Sequence, residues 1–219
     1  MQKSSNTQKI EGSDSRNRSL ERRLQELPHT HQLAFAASCC ERAYPNYVIF
    51  FQCARWGGPA ALRTSLNRVW DFIDGSARAL DDIGELEQKC ESVTPDLDDF
   101  STSDIDVQAG AAQEAAFMVR LLLQFCRDCQ LSYAVRITTF ARDTIDMYVQ
   151  VVDKLDSADP QLDEKIAQHP LMLREVEEQE SDLLKLTQIK TRADLQEFRK
   201  HATNPERSNI GLMPQRQQG

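Results

Sequence analysis

No stretch of the 219 residues approaches the ~20 uninterrupted apolar positions that a membrane helix needs, and the longest candidate, Tyr47 to Trp56, is too short. The polar N-terminus has no apolar signal-peptide core, which points to the cytoplasm and to six cysteines kept mostly reduced. Glycine and proline are sparse, eight of each, and sit mainly between periodic segments, which favours helices joined by short turns. The signatures of catalysis are missing too: there is no HExxH, no Walker loop, no GxGxxG and no Glu-x-x-His pair of a di-iron bundle. His29, His31, His169 and His201 fall near expected turns or helix ends, in no recognisable motif, so no nucleophile has a visible base. These absences assign no catalytic residue, no metal and no cofactor.

What is present is charge and helical periodicity. Forty per cent of the residues are hydrophobic and 27% charged, ordinary for one globular domain with a sizeable core. The net charge is −8, but residues 1–30 and 192–219 are each basic by two, leaving about −12 on the body between them. An acidic body excludes the clustered Lys and Arg that phosphate backbones require, and suits a basic protein partner instead of nucleic acid.

The most apolar part is His31 to Trp56. Leu33, Phe35, Ala36, Ala37, Cys39, Cys40, Ala43 and Tyr44 cover most of a helix circumference, as in a buried helix. Pro45 lacks a donor and pushes Tyr44 out of helical geometry, so the first run is expected to stop there. Asn46 is placed to cap a second apolar run to Trp56. The pair predicts a central buried helical hairpin or sharp kink.

Inside it sit Glu41 and Arg42, two opposite charges that cannot face each other as i and i+1 neighbours. Each needs a partner on another element or access to water. Cross-helix hydrogen bonds would tie the helix to its neighbours; alternatively Glu41, Arg42, Tyr44 and Asn46, with Tyr47 beside them and Asn209 from the C-terminal return, line a polar cleft for a ligand or partner.

Cys40-Glu-Arg-Ala-Tyr-Pro-Asn-Tyr47, Val69-Trp70-Asp71, Pro95-Asp-Leu-Asp-Asp-Phe100 and Ser208-Asn-Ile-Gly211, in this order, resemble the YjaG-like bacterial family, a domain of unknown function (DUF416). The likeness runs from about Ser19 to Met213. It implies a compact all-helical bacterial cytoplasmic domain and carries no reaction.

Residues 1–17 read as a disordered polar tail, 18–213 as a single all-helical domain and 214–219 as a frayed C-terminus. Ser19 to Leu27 forms a short helix with Leu20, Leu24 and Leu27 on one stripe. Gly57-Gly58-Pro59 opens a helix whose stripe is Leu62, Leu66, Val69, Trp70 and Ile73, with Trp70 as a core anchor. An acidic-faced helix through Leu80, Ile83, Leu86, Cys90 and Val93 follows.

The loop Thr94 to Asp106 holds five aspartates. Counted from Asp96, the EF-hand positions that require Gly and Glu hold Ser101 and Val107, so the calcium reading fails. Ser103, Asp104 and Asp106 read instead as capping and charging the start of the next helix. That helix, Ile105 to about Cys129, is apolar on two faces and rich in alanine, which places it at the bundle centre. The next carries Ala134, Ile137, Ala141, Ile145, Tyr148, Val152 and Leu155. Asp159-Pro160 starts a short turn to Gln168, and His169-Pro170 restarts the chain.

Leu171 to His201 reads as one long C-terminal helix of about 30 residues, ~45 Å long, acidic first and basic last. Leu184, Leu195 and Phe198 lie off its main stripe of Val176, Leu183, Leu186, Ile189 and Ala193. That second edge is available as a homodimer surface or as a bed for the tail. Cys126-Arg-Asp-Cys129 and Cys39-Cys40 offer four thiols, but adjacent cysteines converge poorly on a tetrahedral metal and a redox CxxC sits at a helix start after a strand. They read as packing. The expected molecule is therefore an all-α, compact multi-helix bundle whose work is docking a protein, as an adaptor, inhibitor or immunity-type module. An enzyme or small-ligand binder using the Glu41 region is the alternative.

Overall fold

The computed structural model describes residues 15–100, 106–203 and 207–215. Among these the regular structure is entirely helical: α1 (15–25), α2 (His29–Ala54), α3 (Pro59–Ile73), α4 (Ile83–Ser92), the 3-10 turn η1 (Leu97–Asp99), α5 (Asp106–Asp128), α6 (Ser132–Val152), α7 (Leu162–Gln168), α8 (Pro170–Gln188) and α9 (Arg192–Ala202). Helix α1 begins inside the stretch whose composition reads as a tail; the remainder of that tail, residues 1–14, and the expected caps Ser103 and Asp104 lie outside the described residues.

Helices α2 and α5 form the central pair, with α3, α4 and α6 packed around them and α8 and α9 closing α2 from the other side. The alanines of α5 permit this: Ala109, Ala112, Ala115 and Ala116 are buried and bring two backbones close together. Leu33, Phe35, Tyr47, Phe50, Leu122 and Phe125 fill the space between, each excluded from water.

Two expected details are corrected. The central hairpin does not exist: α2 runs unbroken for 26 residues with Pro45 in its interior, and Asn46, instead of capping a second helix, is buried inside the same one. A proline within a helix costs ~3 kcal/mol. The packing of a helix with buried residues from Leu33 to Phe50 outweighs that penalty. The helix stops ten residues later, where Arg55 turns left-handed at φ 54° and its N–H closes on the Phe51 carbonyl.

The long C-terminal helix is likewise two. Thr191 caps α9 in a reciprocal box: its hydroxyl accepts from Asp194 N at 3.2 Å, while Asp194 Oδ2 accepts from Thr191 N at 2.9 Å. This break turns Leu195 and Phe198, misfits on a continuous helix, onto the core, where Phe198 meets the Trp70 ring at 6.2 Å between centroids.

Other boundaries follow their local signals. Pro59 opens α3 from Gly58, and Pro170 opens α8 from His169, whose Nδ1 accepts the Leu171 N–H at 3.2 Å. Gly57 must be glycine: at φ 96° it lies against Tyr47, and a Cβ there would collide with the phenol oxygen.

Candidate functional site

Glu41 and Arg42 leave α2 in different directions. Glu41, 1% exposed, faces α3, where Arg63 clasps both of its oxygens at 2.5 and 2.7 Å. The Trp70 indole N–H donates to Glu41 Oε1 at 2.9 Å. Arg63 also stacks over the Tyr44 ring at 5.1 Å, and the Tyr44 hydroxyl donates to the Pro59 carbonyl at 3.3 Å.

Arg42 faces α8. Its Nε and Nη2 donate to the two oxygens of Glu175 at 3.0 Å each, and Nη1 donates to Asp182 at 2.7 Å and to Ser38 at 2.9 Å. Ser38 in turn donates to Asp182 at 2.6 Å, and Gln179 donates to Glu175 at 2.9 Å. Burial works against the Arg42 charge, but the carboxylates of Glu175 and Asp182 and the hydrogen bond to Glu175 outweigh it and raise its pKa above the ordinary value. Cys39, beside this group, has its pKa pushed up to about 12 by burial, and burial raises Cys40 as well; neither is poised as a thiolate.

The C-terminal return supplies the third polar contact. Asn209 accepts from Asn46 Nδ2 at 2.7 Å, donates from its own Nδ2 to the Ala141 carbonyl at 3.0 Å, and gives its backbone N–H to the Arg42 carbonyl at 2.9 Å. That donor arrives beside the turn where Pro45 removes one. Arg174 holds the return by donating to the Ser208 and Asn209 carbonyls. Tyr47 points elsewhere: its hydroxyl donates to the Val93 carbonyl and accepts Gly58 N–H at 3.2 Å, and burial raises its pKa.

The six residues singled out in the sequence thus divide among three contacts: Glu41 and Tyr44 against α3, Arg42, Asn46 and Asn209 against α8, α6 and the C-terminal return, and Tyr47 against the start of α3 and the end of α4. They line none of the grooves at α5–α6, at the opposite end of that pair, and beside α9. Arg63, Ser38, Glu175, Gln179 and Asp182 are the partners that sequence reasoning missed. Glu175, Gln179 and Asp182 recur at i, i+4 and i+7, the spacing of a buried stripe, and their charge disguised them as part of a solvated acidic face.

The profile of the family described as "Protein of unknown function (DUF416)" matches residues 19–213. The chain belongs to the DUF416 family. Among its relatives, the Escherichia coli K12 "Uncharacterized protein YjaG" is 27% identical over 200 residues, covering 87% of this chain and 94% of that one. A Haemophilus influenzae "Uncharacterized protein" is 25% identical over 146 residues, 66% of this chain and 72% of its own. The crystal structure of a DUF416 family protein from Shewanella baltica OS155 superimposes with a TM-score of 0.78 at 26% identity, covering 88% of this chain and 97% of that chain. DUF416 membership agrees with the all-helical fold and brings no reaction with it.

Proposed function

We propose that this DUF416 chain is a non-catalytic protein-interaction module, a single cytoplasmic domain over 18–213 that acts as an adaptor, inhibitor or immunity-type protein. The observation that supports this is the pairing of the polar cluster: Glu41 and Arg42 each meet charged and hydrogen-bonding partners among the described residues, and neither lines the grooves at α5–α6 or beside α9. A site for chemistry keeps at least one such group facing substrate. The cluster instead fixes α2 against α3 and α8.

The acidic body supplies the chemistry of the partner, a basic protein. One atom speaks for the alternative of a ligand site: Asn46 Oδ1 is buried with no hydrogen-bond partner among the described residues. Native mass spectrometry of the protein purified from its own cells under reducing conditions separates the two. The expected result is a basic second polypeptide that is lost when exposed acidic side chains are neutralised and retained in Tyr44→Phe. A bound small molecule that disappears in Asn46→Ala or Tyr44→Phe overturns the proposal.

A further inference from the structure

Most large apolar side chains among the described residues are buried, but Leu97, Met147, Val151 and Val152 are 37, 45, 56 and 52% exposed. The first three of them, with Val107, Gly110, Ala111, Thr144 and Tyr148, border an open groove of about 290 Å³ between η1, α5 and α6. Met147 Cε lies over Gly110 on the floor of the groove, 3.4 Å from where a Cβ would stand. Methionine on an apolar surface adapts to the side chains it receives.

The charged residue that borders the groove, Asp106, is acidic, and so are Asp98 and Asp99 of η1 beside Leu97. Along α6, Thr144 to Val151 spans seven residues, about 10.5 Å, which is the reach of side chains at i, i+3 or i+4, and i+7 of a docked helix. The volume is at the lower edge of small-molecule pockets and the groove is open along its length, so it suits protruding side chains better than an enclosed ligand.

We infer that the η1–α5–α6 groove is the docking site for a basic amphipathic helix of the protein partner, its apolar stripe on Met147 and Val151 and its Lys or Arg side chains over the acidic rim. This rests on the interaction-module reading and adds the place and the shape of the partner.

The test uses the full chain and a synthetic helical peptide with leucines at i, i+4 and i+7 and lysines on the remaining faces, followed by fluorescence anisotropy. The expected result is binding at least tenfold tighter than that of a scrambled peptide, weakened several-fold between 0.1 and 0.5 M salt, and reduced at least tenfold by Met147→Glu or Val151→Glu. Both substituted side chains are exposed, and unchanged circular dichroism confirms that the variants fold. Leu184→Glu, exposed on α8, leaves binding unchanged. Equal binding of the scrambled peptide, or indifference to Met147→Glu, overturns the assignment. So does a dimer of the free chain that Met147→Glu dissociates, because a second copy would then occupy the groove. If the peptide fails while a basic partner still copurifies, only the groove assignment is lost; if no basic partner copurifies either, the interaction-module reading falls with it.

Discussion

Glu41 meets one guanidinium, Arg63, whose side chain is 28% exposed, whereas Arg42 meets two carboxylates, Glu175 and Asp182, exposed by only 1 and 2%. The first contact can be opened with one charge moving out to water. In the second, both acids remain in the interior whatever becomes of the arginine. Neighbouring residues of opposite charge therefore hold α2 with unequal consequences, and the number of charges left dry, not the number of ion pairs, decides which contact matters more.

Substitutions sharpen that contrast. Arg42→Ala strands two buried carboxylates and is expected to cost about 4 to 5 kcal/mol in urea unfolding. Glu41→Ala frees Arg63 to hydrate but leaves the Trp70 indole N–H without its acceptor, for about 2 to 3 kcal/mol. Equal losses for the two variants would break the comparison. Asn209→Ala removes the Asn46 and Ala141 contacts and is expected to cost about 1 to 2 kcal/mol.

The smallest effect lies outside the cluster, at Glu114. Burial, with the Asp143 charge adding to it, lifts its carboxyl from the ordinary 4.5 to about 7. A folded-state value above the unfolded one means that the folded protein holds this proton more tightly. The contribution is complete below pH 4.5 and is lost as pH rises through 7. Glu114→Gln should accordingly be the more stable protein at pH 8, by about 1 kcal/mol after screening by water at this half-buried site, with the advantage shrinking toward pH 5. Thermal melts of both proteins across that range check the sign.

The requirement that Glu41 and Arg42 find partners on other elements was legible from two charges in an apolar run, and the structure supplies both. Trp70 was legible as an anchor but not as a donor, because periodicity reports which face is buried and not which atom meets another. The break at Thr191 has a local signature, Thr191-Arg-Ala-Asp194, which the apolar spacing running through Ile189 and Ala193 masks. Pro45 failed in the other direction: its local preference is strong, and only the surrounding packing, absent from a one-dimensional reading, keeps α2 whole. Asn46 and Asn209 stood together as candidate binding residues, whereas what joins them in the structure is a contact that the sequence could not supply, between residues 163 positions apart.

That separation also sets an order of events during synthesis. Asn46 and the Arg42 carbonyl leave the ribosome long before Asn209 exists, and at ~5–20 residues per second the wait is roughly 8 to 30 seconds. For that interval α2, the helix at the middle of the fold, has an incomplete set of donors on the turn its proline weakens. The nascent protein therefore completes the contacts of α2 only once Asn209 has been made, and it is in the interval before this that chaperones would meet it.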